Sequence, residues 1–513
     1  MKTLLYLSII GFLVSCTPEK PERQPQKLYK PDWESLMQYE IPQWLKDAKF
    51  GIFIHWGPTT VPAYGASEWY GFNMWNEGEP DALGNPATEP SDSYEYHVRN
   101  FGKPEDFGYT KFIPMFKAEE FDAKEWVDLF IEAGARYVVP VGEHCDGFAM
   151  YNSTITRWNS VNMGPKKDIV GEIFKEARSR GLKVGVSSHF AYGWHWWTYK
   201  DKYETTDPEL KDFYWTKHER WEPASEEYVD HWYNRSMDMM TQYKPDLFWF
   251  DLGICEPEYQ EALKKFIANF YNQGQEINQE VVLNYKNIKW RPVPDGVAVL
   301  DIESGKLDRI RKEVWQTDMS LGGWRWGYTN DYQMRKAGAY INDLIDIVSK
   351  NGCLLLNVAP NRHGVIPDDQ QAILKEIGEW LKVNGEAIYS TRPFDVFGQG
   401  PTNAKMVLHG NMKDKGYTEE DIRYTRKDNT VYAFLLKWPE KSDHISLYAL
   451  GSDLRIINDS IVDVSILGSD LDIKWTQTKR ELEIELPDSN PVKNAVCFKI
   501  QLAAPPSDIL ETK

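Results

Sequence analysis

The chain has 513 residues, 42% of them hydrophobic, which is enough for a large core and too long for one ordinary compact domain unless that domain is a barrel. With 59 Lys and Arg against 77 Asp and Glu the formal net charge is −18, and this excludes nucleic acid as the main partner, because phosphate recognition needs basic patches. The 21 Trp, 28 Tyr and 22 Phe suit either a large aromatic core or a cleft in which flat ligands such as sugar rings stack on π-faces.

In chain order, the first segment is MKTLLYLSIIGFLVSC. Lys2 supplies a charged start, and Leu4 to Val14 form an apolar run too short to span a bilayer. Leu13-Val14-Ser15-Cys16 resembles a bacterial lipoprotein box, which predicts a signal peptide over 1–15 and a lipid on Cys16. An ordinary signal peptide with a chance cysteine is the plainer alternative. The Pro- and charge-rich stretch after it predicts a tether over 16–35, so that the exported protein meets a membrane only through its lipid anchor. Cys145, Cys255, Cys353 and Cys497 match no zinc or CxxC spacing and read as mostly free thiols.

From about residue 45, eight short apolar runs predict strands: 50–56, 136–142, 183–188, 247–251, 281–285, 297–301, 314–318 and 353–358. Continuous apolar strands suit a parallel sheet buried on both faces. Amphipathic helix patterns lie between several of them: EWVDLFIEAGA, KKDIVGEIFKEARSRG, EYVDHWYNRSMDMMTQY and YINDLIDIVSKNG, with DDQQAILKEIGEWLKVNG after the last strand. Strands five to seven are too close for full helices between them. The pattern predicts an α/β fold, a (β/α)8-like barrel over 36–395 with one or two helices missing. Seven short runs between 430 and 502, RIIND at 455–459 among them, predict an all-β sandwich over 396–513 that braces the barrel or binds carbohydrate.

In such a barrel the chemistry sits at the C-terminal strand ends. Those ends carry His55, Glu143-His144-Cys145-Asp146, His189, Asp251, Asp301 with Glu303, and Asp318. A mouth of carboxylates, histidines and tryptophans fits glycoside hydrolysis, in which one carboxylate attacks the anomeric carbon while a carboxylic acid protonates the leaving oxygen. Asp251 ends the run LFWFD with Trp249 on the same strand face, an arrangement that holds a nucleophile rigidly. Each residue also has a plainer role. A strand-end Asp serves as a helix N-cap, a strand-end His as a satisfied polar group, and Asp301 and Asp318 as partners of Arg309 and Arg311.

Six segments in order make the chain resemble the retaining α-L-fucosidases of glycoside hydrolase family 29: WLKDAKFGIFIHWG with SEWYG, GARYVVPVGEHCDGFAMYNSTITRWNSV, GPKKDIVGEIFKEARSRGLKVGV, KPDLFWFDLG, NGCLLLNVAPNRHGVIP and LKVNGEAIYSTRPF. The resemblance implies that Asp251 is the nucleophile, and that His55, Glu68, Trp69, His144 and Trp249 hold the sugar. It implies a Glu as acid/base at a position that varies; Glu303 is the choice here and Glu68 the alternative. It implies a fucosylated glycan as substrate and no metal or organic cofactor. The chain departs from the pattern where many members have a lysine and two adjacent histidines, and it has Glu143-His144-Cys145. A thiol replaces an imidazole poorly as a hydrogen-bond partner, so His189 is expected to supply the missing ring. These changes leave room for another α-L-sugar such as L-galactose, since an apolar pocket rejects an added hydroxyl by only about 100-fold. A surface glycan-binding lipoprotein and a metal-dependent hydrolase on His55, His144 and His189 are the remaining alternatives, the latter without a compact zinc motif.

Overall fold

A computed structural model describes residues 28–80, 84–286, 292–402, 416–454, 456–457 and 460–506. The predicted signal peptide, Cys16 and most of the predicted tether lie outside the described residues, as do three residues of RIIND.

Eight parallel strands close into a barrel: β1 Phe50–Ile54, β2 Tyr137–Glu143, β3 Lys183–Ser188, β4 Leu247–Phe250, β5 Val282–Lys286, β6 Val299–Asp301, β7 Trp315–Ser320 and β8 Gly352–Val358, with β8 paired back to β1. All eight coincide with the predicted runs to within two residues at either end. Their buried side chains divide by the period-2 alternation of strands. Phe53, Tyr137, Val139, Val141, Leu247, Trp249, Val282, Val299, Cys353 and Leu355 fill the barrel interior, while their alternates face the helices. Gly51 has a steric reason. A Cβ there would lie 2.4 Å from the Tyr137 ring, which crosses the interior to donate its hydroxyl to Gln316 Oε1 at 2.8 Å.

The outer helices are set by their caps. Asp122 accepts from the backbone N–H groups of Lys124 and Glu125 to start Ala123–Glu132, Asp168 from Gly171 to start Ile169–Ser179, and Ser225 from Tyr228 to start Glu226–Tyr243. Gln260–Glu276 follows β4, Ala337–Ser349 precedes β8 and Asp368–Asn384 follows it. Among the described residues no helix joins β5 to β6 or β6 to β7. The crowding of strands five to seven therefore corresponds to two connections with no helix among the described residues.

The C-terminal region is two antiparallel sheets. One has the order β13-β16-β11-β10-β9 and the other β12-β15-β14, with β9 Arg392–Gln399, β10 Ile422–Lys427, β11 Thr430–Leu435, β12 His444–Leu447, β13 Ile461–Ile466, β14 Trp475–Gln477, β15 Leu482–Glu485 and β16 Val496–Leu502. Facing side chains such as Phe394, Tyr424, Leu447, Ile484 and Phe498 form its core. β9 and β10 were not among the predicted strands, and β9 extends the sheet back to residue 392.

This region is fastened to the barrel by buried charge. Arg423 on β10 donates to Asp346 at 2.5 Å, and Lys350 donates to the same carboxylate at 2.8 Å, all three at most 1% exposed at the side chain. Asp346 and Lys350 belong to the barrel's last helical turn before β8. A second fastening lies near the barrel mouth, where Lys306, three residues beyond Glu303, donates to the Tyr417 hydroxyl at 2.9 Å.

Candidate active site

Strand register brings the key groups level. Trp249 pairs with Asn284 and Phe250 with Tyr285, so Asp251, one step past β4, lies beside Lys286, the last residue of β5. Lys286 in turn pairs with Asp301 at the end of β6, and Glu303 follows two residues later.

Lys286 is the centre of the arrangement, and strand five as predicted stopped one residue short of it. Its ammonium lies 3.1 Å from Asp251 Oδ1, 2.6 Å from Glu303 Oε2 and 3.8 Å from Asp318 Oδ2. The rings of Trp249 and Trp326 each lie 5.4 Å from it. Because one ammonium contacts both Asp251 and Glu303, the nearest oxygens of the two carboxyl groups are at most about 6 Å apart, which fits the short spacing of a site with a protein nucleophile. Burial alone would raise the Asp251 pKa. The Lys286 ammonium first, and then His189, outweigh it and hold the carboxyl well below the usual range. His189 Nδ1 stands 2.9 Å from Asp251 Oδ2.

Glu303 also accepts from the Trp326 indole at 3.2 Å. Glu68, from the loop after β1, is a buried carboxyl that accepts from the backbone N–H groups of Trp326 at 3.2 Å and Gly327 at 2.9 Å. Burial outweighs those hydrogen bonds and pushes its pKa up to about 8. Glu68 is thus largely protonated at neutral pH and presents an O–H as well as a lone pair.

His55, His144 and His189 converge, with one ligand nitrogen from each within 4.8 Å of the others. Asn357 Oδ1 lies 2.8 Å from His55 Nδ1, and His189 Nε2 lies 3.1 Å from Ser187 Oγ. Burial, then the neighbouring His189 ring, holds both His55 and His144 well below the ordinary histidine pKa, so both are neutral. Neutral imidazoles so placed can hydrogen-bond sugar hydroxyls, and in chemistry they can also ligate a cation. A narrow pocket lined by His55, Glu68, His144, Asp146 and Gly327 opens beside them.

The other predicted residues fall in supporting positions. Trp249 is fully buried beneath the site, gives its indole N–H to Asp301 at 2.8 Å and packs 5.1 Å from the His189 ring. Trp69 stands in an aromatic wall with Trp196 and Tyr192. Asp301 accepts from Trp249, Gln316 and the Asp318 backbone. Burial, then the charge of Asp301, raises the Asp318 carboxyl well above its usual range. Neither Asp301 nor Asp318 meets the arginines suggested for them: Arg309 pairs with Asp308, and Arg311 with Asp295 and Glu313.

The departure at Glu143 has its own structural account. Glu143 is fully buried and accepts from Arg235 Nε at 2.6 Å and from the Ser188 hydroxyl at 2.8 Å. Arg235 also donates to Gly147 O at 2.7 Å. The pair thus ties the β2 and β3 ends to the helix Glu226–Tyr243. Cys145 is buried, and the His189 ring stands beside that of His144 with centroids 4.7 Å apart.

Comparison with known proteins adds to this geometry. Residues 16–386 match the family profile described as alpha-L-fucosidase, and residues 414–501 match the alpha-L-fucosidase C-terminal domain. Human tissue alpha-L-fucosidase is 31% identical over 473 residues, covering 91% of this chain and 90% of that protein. The crystal structure of Thermotoga maritima alpha-fucosidase in complex with a mechanism-based inhibitor superposes with a TM-score of 0.73 at 30% identity, covering 92% of this chain and all of the other. The same enzyme in complex with fucose gives a TM-score of 0.71 at 30% identity, with 92% of this chain and all of the other covered.

Proposed function

The chain belongs to the α-L-fucosidase family and is a retaining glycoside hydrolase of α-L-fucosides, and on that premise we propose that Asp251 attacks C1 of a terminal α-L-fucosyl unit while Glu303 protonates the departing oxygen. Glu303 then removes a proton from the water that hydrolyses the fucosyl-enzyme. The observation that carries this assignment is the single Lys286 ammonium between the two carboxyl groups. It keeps Asp251 ionised, as a nucleophile must be, and brings Glu303 within about 6 Å of it. The same contact favours ionised Glu303, so Glu303 must exchange it for a proton before it acts as the acid.

His55 and His144 take the sugar hydroxyls, His189 stands behind them on Asp251 and Ser187, Glu68 donates or accepts beside them, and Trp69 supplies part of the wall. Trp249 acts from below by fixing Asp301 and His189. The substrate is a fucosylated glycan or oligosaccharide. The apolar run of residues 4–14 and the box ending in Cys16 support a protein that is exported and held at a bacterial membrane by lipid on Cys16. Loss of labelled-fatty-acid incorporation in Cys16→Ala tests the anchor.

Hydrolysis of 4-nitrophenyl α-L-fucoside by the wild type and by Asp251→Ala tests the reaction. Turnover in the first and a loss of several orders of magnitude in the second are expected. Faster turnover of the α-L-galactoside would reassign the sugar, and a wild-type level in the variant would remove Asp251 from the mechanism.

A further inference from the structure

Trp324 lies on the turn after β7, and its neighbours are tied into the site on both sides. Ser320 closes the turn, accepting from Gly323 N–H at 3.2 Å through its carbonyl and donating its hydroxyl to Arg325 O at 2.6 Å. Gly323 sits at φ 72°, where a side chain would strain the backbone. Arg325 donates to Gly65 O at 3.1 Å and to Asp331 O at 2.7 Å. Trp326 holds Glu303 through its indole and Glu68 through its backbone.

Within this rigid loop the Trp324 side chain remains 52% exposed. The Arg325 guanidinium lies over the ring at 4.8 Å. Single exposed apolar side chains are ordinary, but a Trp held in place next to a site is the residue type that binding surfaces use as an anchor. Trp221 is similarly exposed at 50%, but it reaches the loop after β4 through His195 and Glu256, whereas Trp324 is two residues from the indole that bonds Glu303.

We propose that Trp324 is the stacking platform for the sugar that carries the fucosyl group. This rests on the reading of Glu303 as the acid. The acid must lie against the glycosidic oxygen, so the leaving sugar departs on the side of the Glu303–Trp326 contact, two residues from Trp324. The occupant is a neutral pyranose with an apolar C–H face, of the galactose or N-acetylglucosamine kind, which an indole binds by apolar contact.

The test compares two substrates in wild type, Trp324→Ala and Trp324→Phe. One is α-L-fucosyl fluoride, whose leaving group is too small to reach Trp324. The other is the best of a set of α-L-fucosyl disaccharides differing in linkage. Trp324→Ala is expected to lower kcat/KM on the disaccharide by about tenfold or more, equivalent to one lost ring contact, with the fluoride unchanged and Trp324→Phe restoring most of the loss. Equal rates for wild type and Trp324→Ala on the disaccharide would overturn the platform, as would an equal fall on both substrates, which would make Trp324 a brace for Glu303. A wild type inactive on the fluoride would instead remove the catalytic reading, and the platform with it.

Discussion

Lys286 Nζ lies 2.6 Å from Glu303 Oε2, a closer contact than the 3.1 Å it makes with Asp251 Oδ1. The residue that holds the two carboxyl groups together is therefore a cation that belongs to neither of their strands. Lys286→Met keeps much of the side-chain volume and removes the charge. The Asp251 pKa should then rise, because the ammonium is the largest influence lowering it. The acidic limb of the kcat/KM profile should move to higher pH, with a loss of about 100-fold or more at the optimum, on the scale of removing one preorganised charge. An acidic limb that stays in place would show that Asp251 is not set by Lys286.

Glu303→Ala separates the two candidate acids. Loss of the acid should slow substrates with sugar leaving groups by several orders of magnitude and α-L-fucosyl fluoride far less, because fluoride departs without a proton. Added azide should rescue turnover and give the α-fucosyl azide, since it attacks the glycosyl-enzyme from the face vacated by Glu303. If Glu68→Ala shows this pattern and Glu303→Ala does not, the roles are exchanged.

Glu68 should impose an alkaline limit. With its pKa pushed up to about 8 by burial, it is protonated below that value and loses its proton as pH rises through it. Affinity for fucose, followed by calorimetry, should fall across that window in the wild type. Glu68→Gln, which keeps a donor and cannot ionise, should bind with a flat profile there. The same shift makes folding stability decline as pH rises from the unfolded value near 4.5 toward 8, because the folded state holds the proton more tightly in that interval.

Arg235→Leu should destabilise the protein by about 3–5 kcal/mol in urea unfolding, because Glu143 would be left fully buried without its cationic partner. The double variant Arg235→Leu with Glu143→Leu should recover much of that loss. Recovery would show that the pair is replaceable for stability, and any remaining activity defect would then report its hold on the β2 and β3 ends.

His189→Ala should raise KM and lower kcat together, since its ring faces His144 on one side and bonds Asp251 on the other. An unchanged kcat and KM would end its assignment as the replacement for the imidazole that Cys145 lacks.

The barrel was legible because parallel strands buried on both faces leave unbroken apolar runs, and the lack of helices among the described residues between β5 and β7 because residues 281–318 hold three such runs with no space for helical turns between them. Asp251 and the histidines were legible as polar residues at the ends of those runs. Lys286 was not, because VVLNY looks complete at Tyr285 and a lysine after a strand ordinarily reads as solvated. The available signal was its step beyond a buried run, level with Asp251. β10 was hidden for a related reason. IRYTRK carries three cations, and the burial of Arg423 becomes intelligible only with its partners in place, Asp346 on a barrel helix and the carbonyls of Gln399 and Thr402. The interior role of Trp249 was equally invisible, since the same strand face that leads to Asp251 turns into the barrel one step earlier.

The Lys306–Tyr417 contact changes what the C-terminal region is for an engineer. Tyr417 belongs to the segment that leads into β10, and its partner is three residues from Glu303. A chimera that exchanged this region for that of another fucosidase would also exchange one of the supports of the loop that carries Glu303. The two halves of the chain are thus poor interchangeable cassettes, and a graft that preserves turnover will need to carry a hydroxyl to the position of Tyr417.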